Sequence, residues 1–245
     1  EDIKKGKIKL KKNHLLRVQD IGIIASIGKK NIKVYKKINI GLLSNGNELV
    51  EPGKEKTNAQ IYDSNRFMLS SLLNTNYSDS KDFGILKDNY NSIKQKINKI
   101  KTQCDLIVIS GGASFGNKDY IVDIVKSMGK IIFWKVSIKP GRPFALGILK
   151  KKTPILILPG NPVASFVIFN IFGKYLINHI VNNKSYLPNY FIVKSNFNMK
   201  KKLGREEYLR GKVFFKDNMV FADKYRTEGA GILSSTVWAN GLIRL

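Results

Sequence analysis

Four apolar residues, Leu106, Ile107, Val108 and Ile109, run without a polar break and stop at Ser110, where the chain turns to GGASFGNKDY. An unbroken, largely β-branched run of this length predicts a strand buried on both faces. Gly111, Gly112 and Gly116 make a loop, and Asp119 then opens an amphipathic segment carrying Tyr120, Ile121, Ile124, Val125 and Met128. Strand, glycine loop and helix start together predict an open α/β sheet, in which ligands bind past the carboxyl ends of the strands. Glycines there let backbone N–H groups approach a phosphate, and a helix N-terminus favours an anion. Asp119 adds an acceptor where a metal or a proton can be handled. The loop therefore points to a phosphorylated ligand. It lacks the GK[ST] ending of a P-loop and the GxGxxG spacing of a dinucleotide fingerprint.

The same alternation runs from residue 36 to about 180. Residues 38–43 read as a strand, and Ser64 reads as the cap of a helix carrying Met68, Leu69, Leu72 and Leu73. Residues 74–90 are ambiguous, with a short strand before Asp88. Ile93, Ile97 and Ile100 fall on one helical face between lysines. Residues 131–134 and 155–158 are further strands, and PGNP leads into an apolar helix over 163–180. This pattern predicts a parallel sheet with helices on both faces. After about residue 183 short β-like runs alternate with polar turns, as in a small all-β domain. Three parts follow: residues 1–35, a basic stretch and a helix with Val18, Ile21, Ile24 and Ala25 on one face, ended by Gly28; residues 36–182, the α/β domain; and residues 183–245, the β domain.

The 245 residues carry a formal net charge of +25. A polyanion partner is one reading of that charge. Only seven of the 43 basic residues are arginine, however, and Lys, Asn and Ile are all abundant. Bidentate recognition of bases and phosphates favours arginine, so a solvated lysine-rich surface from biased codon usage is the plainer account. No RNA- or DNA-binding signature supports a basic nucleic-acid module. No run approaches the length of a transmembrane helix, and no signal peptide is visible, so no membrane partner is expected. The single cysteine, Cys104, excludes an internal disulfide and fits a reducing cytoplasm. With only His14 and His179, a histidine-based metal site or triad has no support.

Four loops follow predicted strands and would emerge at one sheet edge. Residues 44–53 contain Glu48, either a surface acid or a group that binds a metal or orients a lysine. The 110–119 loop is either a tight connection or a phosphate cradle. Residues 134–144 place Lys135, Lys139 and Arg142 on a backbone stiffened by two prolines. Lys135 and Lys139 can meet one anion if the chain bends at KPG. In LPGNP, Pro162 suits a first helical position and Asn161 a cap.

Taken together, LLSNGNELVEPG, IYDSNR, SGGASFGNKDY, FWKVSIKPGRPFALG, LPGNPVASF and GILSSTVWANGL resemble, in order and over nearly the whole chain, the molybdopterin molybdotransferase family of the gephyrin E-domain type. The resemblance implies an α/β molybdopterin-binding domain followed by a C-terminal β domain that lacks its last strands here. It further implies that residues 1–35 are the tail of a longer N-terminal region. It implies insertion of molybdate into adenylylated molybdopterin, with Mg²⁺ as cofactor and release of AMP. By the same resemblance Glu48, Asp88, Asp119, Lys135 and Lys139 are catalytic, with Asp88 and Asp119 holding Mg²⁺. Gly111, Gly112, Ser114 and Gly116 would cradle the pterin phosphate. Lys135 and Lys139, with Arg142, would bind molybdate or phosphate, and Pro159, Gly160, Asn161 and Pro162 would shape the molybdate pocket. Family members are usually homodimers. The alternatives are a molybdopterin adenylyltransferase, a non-catalytic molybdopterin-binding scaffold and, more distantly, the basic nucleic-acid module.

Overall fold

The computed structural model describes residues 3–112, 120–150, 152–183, 186, 188–201 and 203–245. In chain order the elements are α1 (Val18–Ser26), β1 (Ile38–Asn45), β2 (Leu49–Val50), β3 (Ile61–Tyr62), α2 (Ser64–Leu73), β4 (Ser78–Leu86), α3 (Tyr90–Ile100), β5 (Leu106–Ser110), α4 (Tyr120–Met128), β6 (Gly129–Trp134), β7 (Ile138–Lys139), β8 (Ala145–Leu149) and β9 (Pro154–Leu158). Then come α5 (Pro162–Ile168), a π-helical turn (Phe169–Gly173), α6 (Lys174–Ile180), β10 (Lys194–Ser195), β11 (Glu206–Lys216), β12 (Met219–Lys224), α7 (Ser234–Trp238) and β13 (Gly241–Arg244).

The main sheet has the order β4-β1-β5-β9-β8-β6. Strands β4, β1, β5 and β9 are parallel. Strand β8 runs against both β9 and β6. The sequence reading has no β8, and this reversal departs from an all-parallel sheet. Two turns, one on each side of β8, let Ala145–Leu149 fold back between its neighbours. Because β6 is again reversed relative to β8, it ends at the same edge as β1, β4, β5 and β9.

Alternation along the strands builds two cores. Ile40, Leu42, Leu106, Val108, Leu156 and Leu158 face α2 and the α5–α6 region, meeting Leu69, Leu73, Val167 and Phe169. Leu43, Ile107, Ile109, Ile155 and Ile157 face α3 and α4, meeting Ile93, Ile97, Ile121 and Val125. Helices thus cover both faces, as the sequence predicts. Helix α3 buries the predicted Ile93, Ile97 and Ile100, and the Asn89 side chain caps it by accepting from Ser92 N at 3.0 Å. Contrary to the expectation that no run approaches that length, the helical run Pro162–Ile180 is long and apolar enough, by length and composition, to cross a membrane. Half of it is buried, with Val163, Val167, Ile168 and Phe169 inaccessible in the core.

A second sheet, β10-β12-β11-β13, gathers the strands after residue 193, and β7 pairs with β11 through Ile138 and Lys139. The 134–144 loop is thereby stitched to the C-terminal region, which its sequence does not suggest.

Two local expectations are corrected. The N-cap of α2 is Asp63, whose carboxylate accepts from Arg66 N at 3.2 Å, so Ser64 is the first helical residue instead. In α1, Val18 and Ile21 are exposed and only Ile24 of the predicted face is buried. Burial in α1 goes equally to Asp20, which accepts from Arg17 and bonds His14. Gly28 does follow the helix end, with a positive φ and its N–H on Ala25 O.

Candidate active site at the carboxyl edge of the sheet

After β4 the chain crosses to the other side of β1 and enters as β5, so the topological switch point lies between β1 and β5. Loops after β4, β1, β5, β9 and β6 all leave from this edge, so the four loops do emerge on one side as expected, residues 113–119 of the second lying outside the described residues. The carboxylates Asp88 and Glu48 follow β4 and β1 at one end. Gly111 and Gly112 follow β5, Pro159 to Pro162 follow β9, and Lys135 and Arg142 belong to the loop after β6. Ser114, Gly116 and Asp119 lie outside the described residues.

Close approach at the switch point requires glycine. Gly111 has φ +89°, and a Cβ there would sit 2.3 Å from the carbonyl oxygen of Asn45. Its N–H donates to Leu158 O at 3.0 Å, joining β5 to the LPGNP loop. Gly112 has φ +75°, and a Cβ would strike Ile121. Asn65, in the first turn of α2, donates from Nδ2 to Ser110 Oγ at 2.8 Å and to Gly160 O at 2.7 Å. One buried amide thus locks the β5 and β9 loops together. The Asn65 Oδ1, Asn45 Oδ1 and Ser44 Oγ atoms are buried without a partner at this edge. Orphaned buried acceptors are costly and mark places where a ligand, ion or water completes the bonding.

Asp88 is exposed but held. Its Oδ1 accepts from Asn45 Nδ2 at 2.7 Å, its Oδ2 accepts from Asn47 N at 3.3 Å, and its own N–H donates to Asn47 Oδ1 at 3.0 Å. Lys87 donates to the Asn47 and Leu49 carbonyls, closing the same two loops on each other. The carboxylate of Glu48 folds back over Gly46, where a Cβ would lie 2.6 Å from both of its oxygens. Asp88 and the Asn45 Oδ1 are hard oxygen donors. Mg²⁺ binds through one or two carboxylates and otherwise keeps waters and substrate phosphates. The donor set therefore fits Mg²⁺, although no cluster of three His, Cys, Asp or Glu occurs among the described residues.

The two lysines part company. Lys135, at φ +64°, lays its ammonium 4.0 Å from the centre of the Trp134 ring. Lys139 sits in β7, where its Nζ donates to Glu228 at 2.7 Å and to Glu207 at 3.4 Å. Arg142 is exposed in the same loop and returns its carbonyl to Val136 N at 3.1 Å. Pro162 occupies the first position of α5 as predicted, but the side chain of Asn161 makes no capping bond. The Val163 N–H is taken instead by the carbonyl of Ala230 from the C-terminal region, at 3.1 Å.

Beneath the acidic end lies a cluster that the sequence reading leaves without a role. Arg66, 3% exposed, pairs with Asp63 at 2.9 Å and with Asp82 and Glu51. Burial opposes its charge, yet the three carboxylates outweigh burial and raise its pKa. It ties the 44–53 loop, α2 and β4 into one support. The IYDSNR stretch carries Asp63, Asn65 and Arg66, and their spacing over one helical turn is the signal that could have marked them. Burial and then Asp105 push the Cys104 thiol up, which lowers its thiolate population.

The Asp82 carboxyl is pushed up by burial, but Arg66 and the Gly84 N–H leave it below its ordinary 3.8. Lys139 holds Glu228 below its ordinary 4.5. Depressed carboxylates stabilise the folded chain above their unfolded pKa values, and that contribution is lost as pH falls through the folded ones. Urea denaturation should show stability level down to about pH 5 and declining below about pH 4. The decline should be shallower in Asp82→Asn; an identical slope in that variant refutes the assignment.

Residues 41–179 match the family described as "Probable molybdopterin binding domain", and residues 193–245 match "MoeA C-terminal region (domain IV)". The molybdopterin molybdenumtransferase of Haemophilus influenzae is 34% identical over 247 residues, covering 100% of this chain and 61% of that protein. The protein of the same name from Nostoc is 32% identical over 211 residues, covering 84% of this chain and 48% of its own length. The crystal structure of the molybdopterin biosynthesis moeA protein from Pyrococcus horikoshii superposes with a TM-score of 0.78 at 28% identity, covering 100% of this chain and 59% of that one. This chain thus spans only part of each of these relatives.

Proposed function

The chain belongs to the MoeA-type molybdopterin-binding family, and from that premise we propose that it works in molybdenum cofactor biosynthesis as a molybdopterin molybdotransferase. Adenylylated molybdopterin and molybdate are its substrates, and insertion is linked to cleavage of the pyrophosphate bond with release of AMP. A homodimer is part of this reading. The observation that carries it is the ordering of charge along one sheet edge. Asp88 and Glu48 stand at the β4–β1 end and Lys135 at the β6 end, with glycine and proline loops between. Strand spacing makes that edge roughly 24 Å long, the scale of a ligand with a pterin at one end and a nucleotide at the other.

Each group then has a physical task. The positive-φ backbone at Gly111 and Gly112 lets a phosphate come close to the chain. Asp88, with the Asn45 Oδ1, would hold Mg²⁺, to which the resemblance adds Asp119. The ion, when bound, screens phosphate charge as a Lewis acid. Lys135 and Lys139, with Arg142, hold the tetrahedral oxyanion and offset charge developing on the leaving phosphate. Glu48 orients a lysine or a water. Pro159 and Pro162 stiffen the LPGNP loop that forms the pocket wall. The match of residues 193–245 to the MoeA C-terminal region supports this reading over an adenylyltransferase.

The test is to incubate the chain with adenylylated molybdopterin and Mg²⁺, with and without molybdate, and to follow AMP. Molybdate-dependent release is expected, slowed by at least about tenfold in Lys135→Ala. Tight pterin binding without AMP release would instead make it a scaffold, and no binding would overturn the reading.

A further inference from the structure

A short strap from the C-terminal region crosses the basic end of the site. The Arg210 side chain, 2% exposed, donates from Nη2 to Thr227 O at 3.1 Å and Gly229 O at 3.4 Å, and from Nε to Ser235 Oγ at 2.9 Å. These bonds pin the loop around residues 227–230 from below. From the pinned loop Glu228 reaches Lys139 Nζ at 2.7 Å, and Ala230 O takes the Val163 N–H at the start of α5. One loop therefore touches both the KPG segment and the first turn of α5 just past LPGNP.

The two carboxylates on Lys139 are not equivalent. Glu207 is almost inaccessible, lies within β11 and contacts the ammonium at 3.4 Å. Its neighbours Glu206 and Tyr208 are paired in the sheet, so it has nowhere to go. Glu228 is 36% exposed, on a loop, and makes the shorter contact. One ammonium thus faces two carboxylates. An oxyanion approaching Lys139 meets an ammonium already paired with two carboxylates, with Lys224 and Arg210 also acting on Glu228, and like charges at contact distance repel. Only the exposed partner can yield.

We infer that Glu228 is a displaceable counter-ion, a positioning residue that occupies Lys139 until an incoming tetrahedral oxyanion takes its place. It holds the lysine ammonium in place and makes the anion compete for it. Glu207 remains beneath as the fixed partner that keeps the ammonium oriented after the exchange. This rests on the reading of the 134–144 loop as the oxyanion-binding loop.

The experiment is calorimetric titration of the chain with molybdate, and with sulfate as a second tetrahedral dianion, in the unchanged chain, Glu228→Gln and Lys139→Ala. Glu228→Gln removes the competing charge and keeps the shape, so affinity for both anions should rise about two- to fivefold, the size of a partly exposed ion pair. Lys139→Ala should weaken both. A selectively labelled Lys139 amine followed by NMR gives a readout that a packing role would not move. Its titration should shift to lower pH in Glu228→Gln, and saturating molybdate should erase the difference between the two proteins. Unchanged or weaker anion binding in Glu228→Gln, with Lys139→Ala still impaired, overturns the counter-ion role. Unaltered binding in Lys139→Ala removes Lys139 as an anion ligand, and with it the reading on which the inference rests. Thermal unfolding of each variant identifies any that has lost its fold, in which case Glu228→Asp, with a shorter reach to the ammonium, takes its place and is expected to strengthen binding in the same direction.

Discussion

Replacing Gly111 with valine should cost about 3 to 5 kcal/mol of folding stability and abolish binding of the pterin substrate. The backbone there lies at φ +89°, a region that costs a side-chain-bearing residue about 1–3 kcal/mol. Relaxation is blocked as well, because a Cβ would come within 2.3 Å of Asn45 O, and Asn45 belongs to a central strand of the sheet. Moving Gly111 away breaks its bond to Leu158 O and with it the junction of the β5 and β9 loops. A domain of this kind has about 5–15 kcal/mol in hand, so the variant remains measurable by urea denaturation. Gly111→Ala shares the strain and most of the clash and should fall between the two. A valine variant as stable as the unchanged chain would show that this edge is far softer than its contacts imply.

The second large effect is expected at Asp88. Asp88→Ala should slow AMP release by about a hundredfold or more, because it removes the described carboxylate best placed for Mg²⁺. It also strands the Asn45 amide, which is 8% exposed and donates to Asp88 Oδ1. A structural loss could therefore imitate a chemical one. Asp88→Asn separates them, because its one carbonyl oxygen still accepts from Asn45 Nδ2 while the charge is gone and only the longer Asn47 N contact is given up. Equal loss in both variants, together with weakened Mn²⁺ binding by electron paramagnetic resonance, assigns the effect to charge. An active Asp88→Asn chain would assign it to loop anchoring.

Much of the edge can be read from residue order alone. An unbroken apolar strand ending in glycines has few ways to pack, and Leu106–Ser110 with Gly111 lie where that logic puts them. The LPGNP segment is legible for the same reason, because proline and glycine restrict the backbone locally. What escapes is what depends on distant partners. Nothing near Asn65 announces that its amide will bridge Ser110 and Gly160, 45 and 95 residues away. Strand β8 hides because Gly147 sits in the middle of its apolar run and a proline-rich turn leads into it. Lys139 looks like a free cation in sequence, whereas its carboxylates arrive from 68 and 89 residues further along. Local steric rules propagate into the sequence, and long-range charge pairing does not.

The two residues of β7 make the site a shared possession of two sheets. Ile138 and Lys139 lie in the chain between strands of the first sheet yet are hydrogen-bonded as part of the second. A chimera that exchanged the C-terminal region for a relative's would keep every residue of the 134–144 loop and still lose the template on which that loop is laid. Drift in the second sheet is therefore felt in the anion loop without any change to the loop itself. The functional unit of inheritance is the loop together with the strand it leans on, although the two are far apart in the gene.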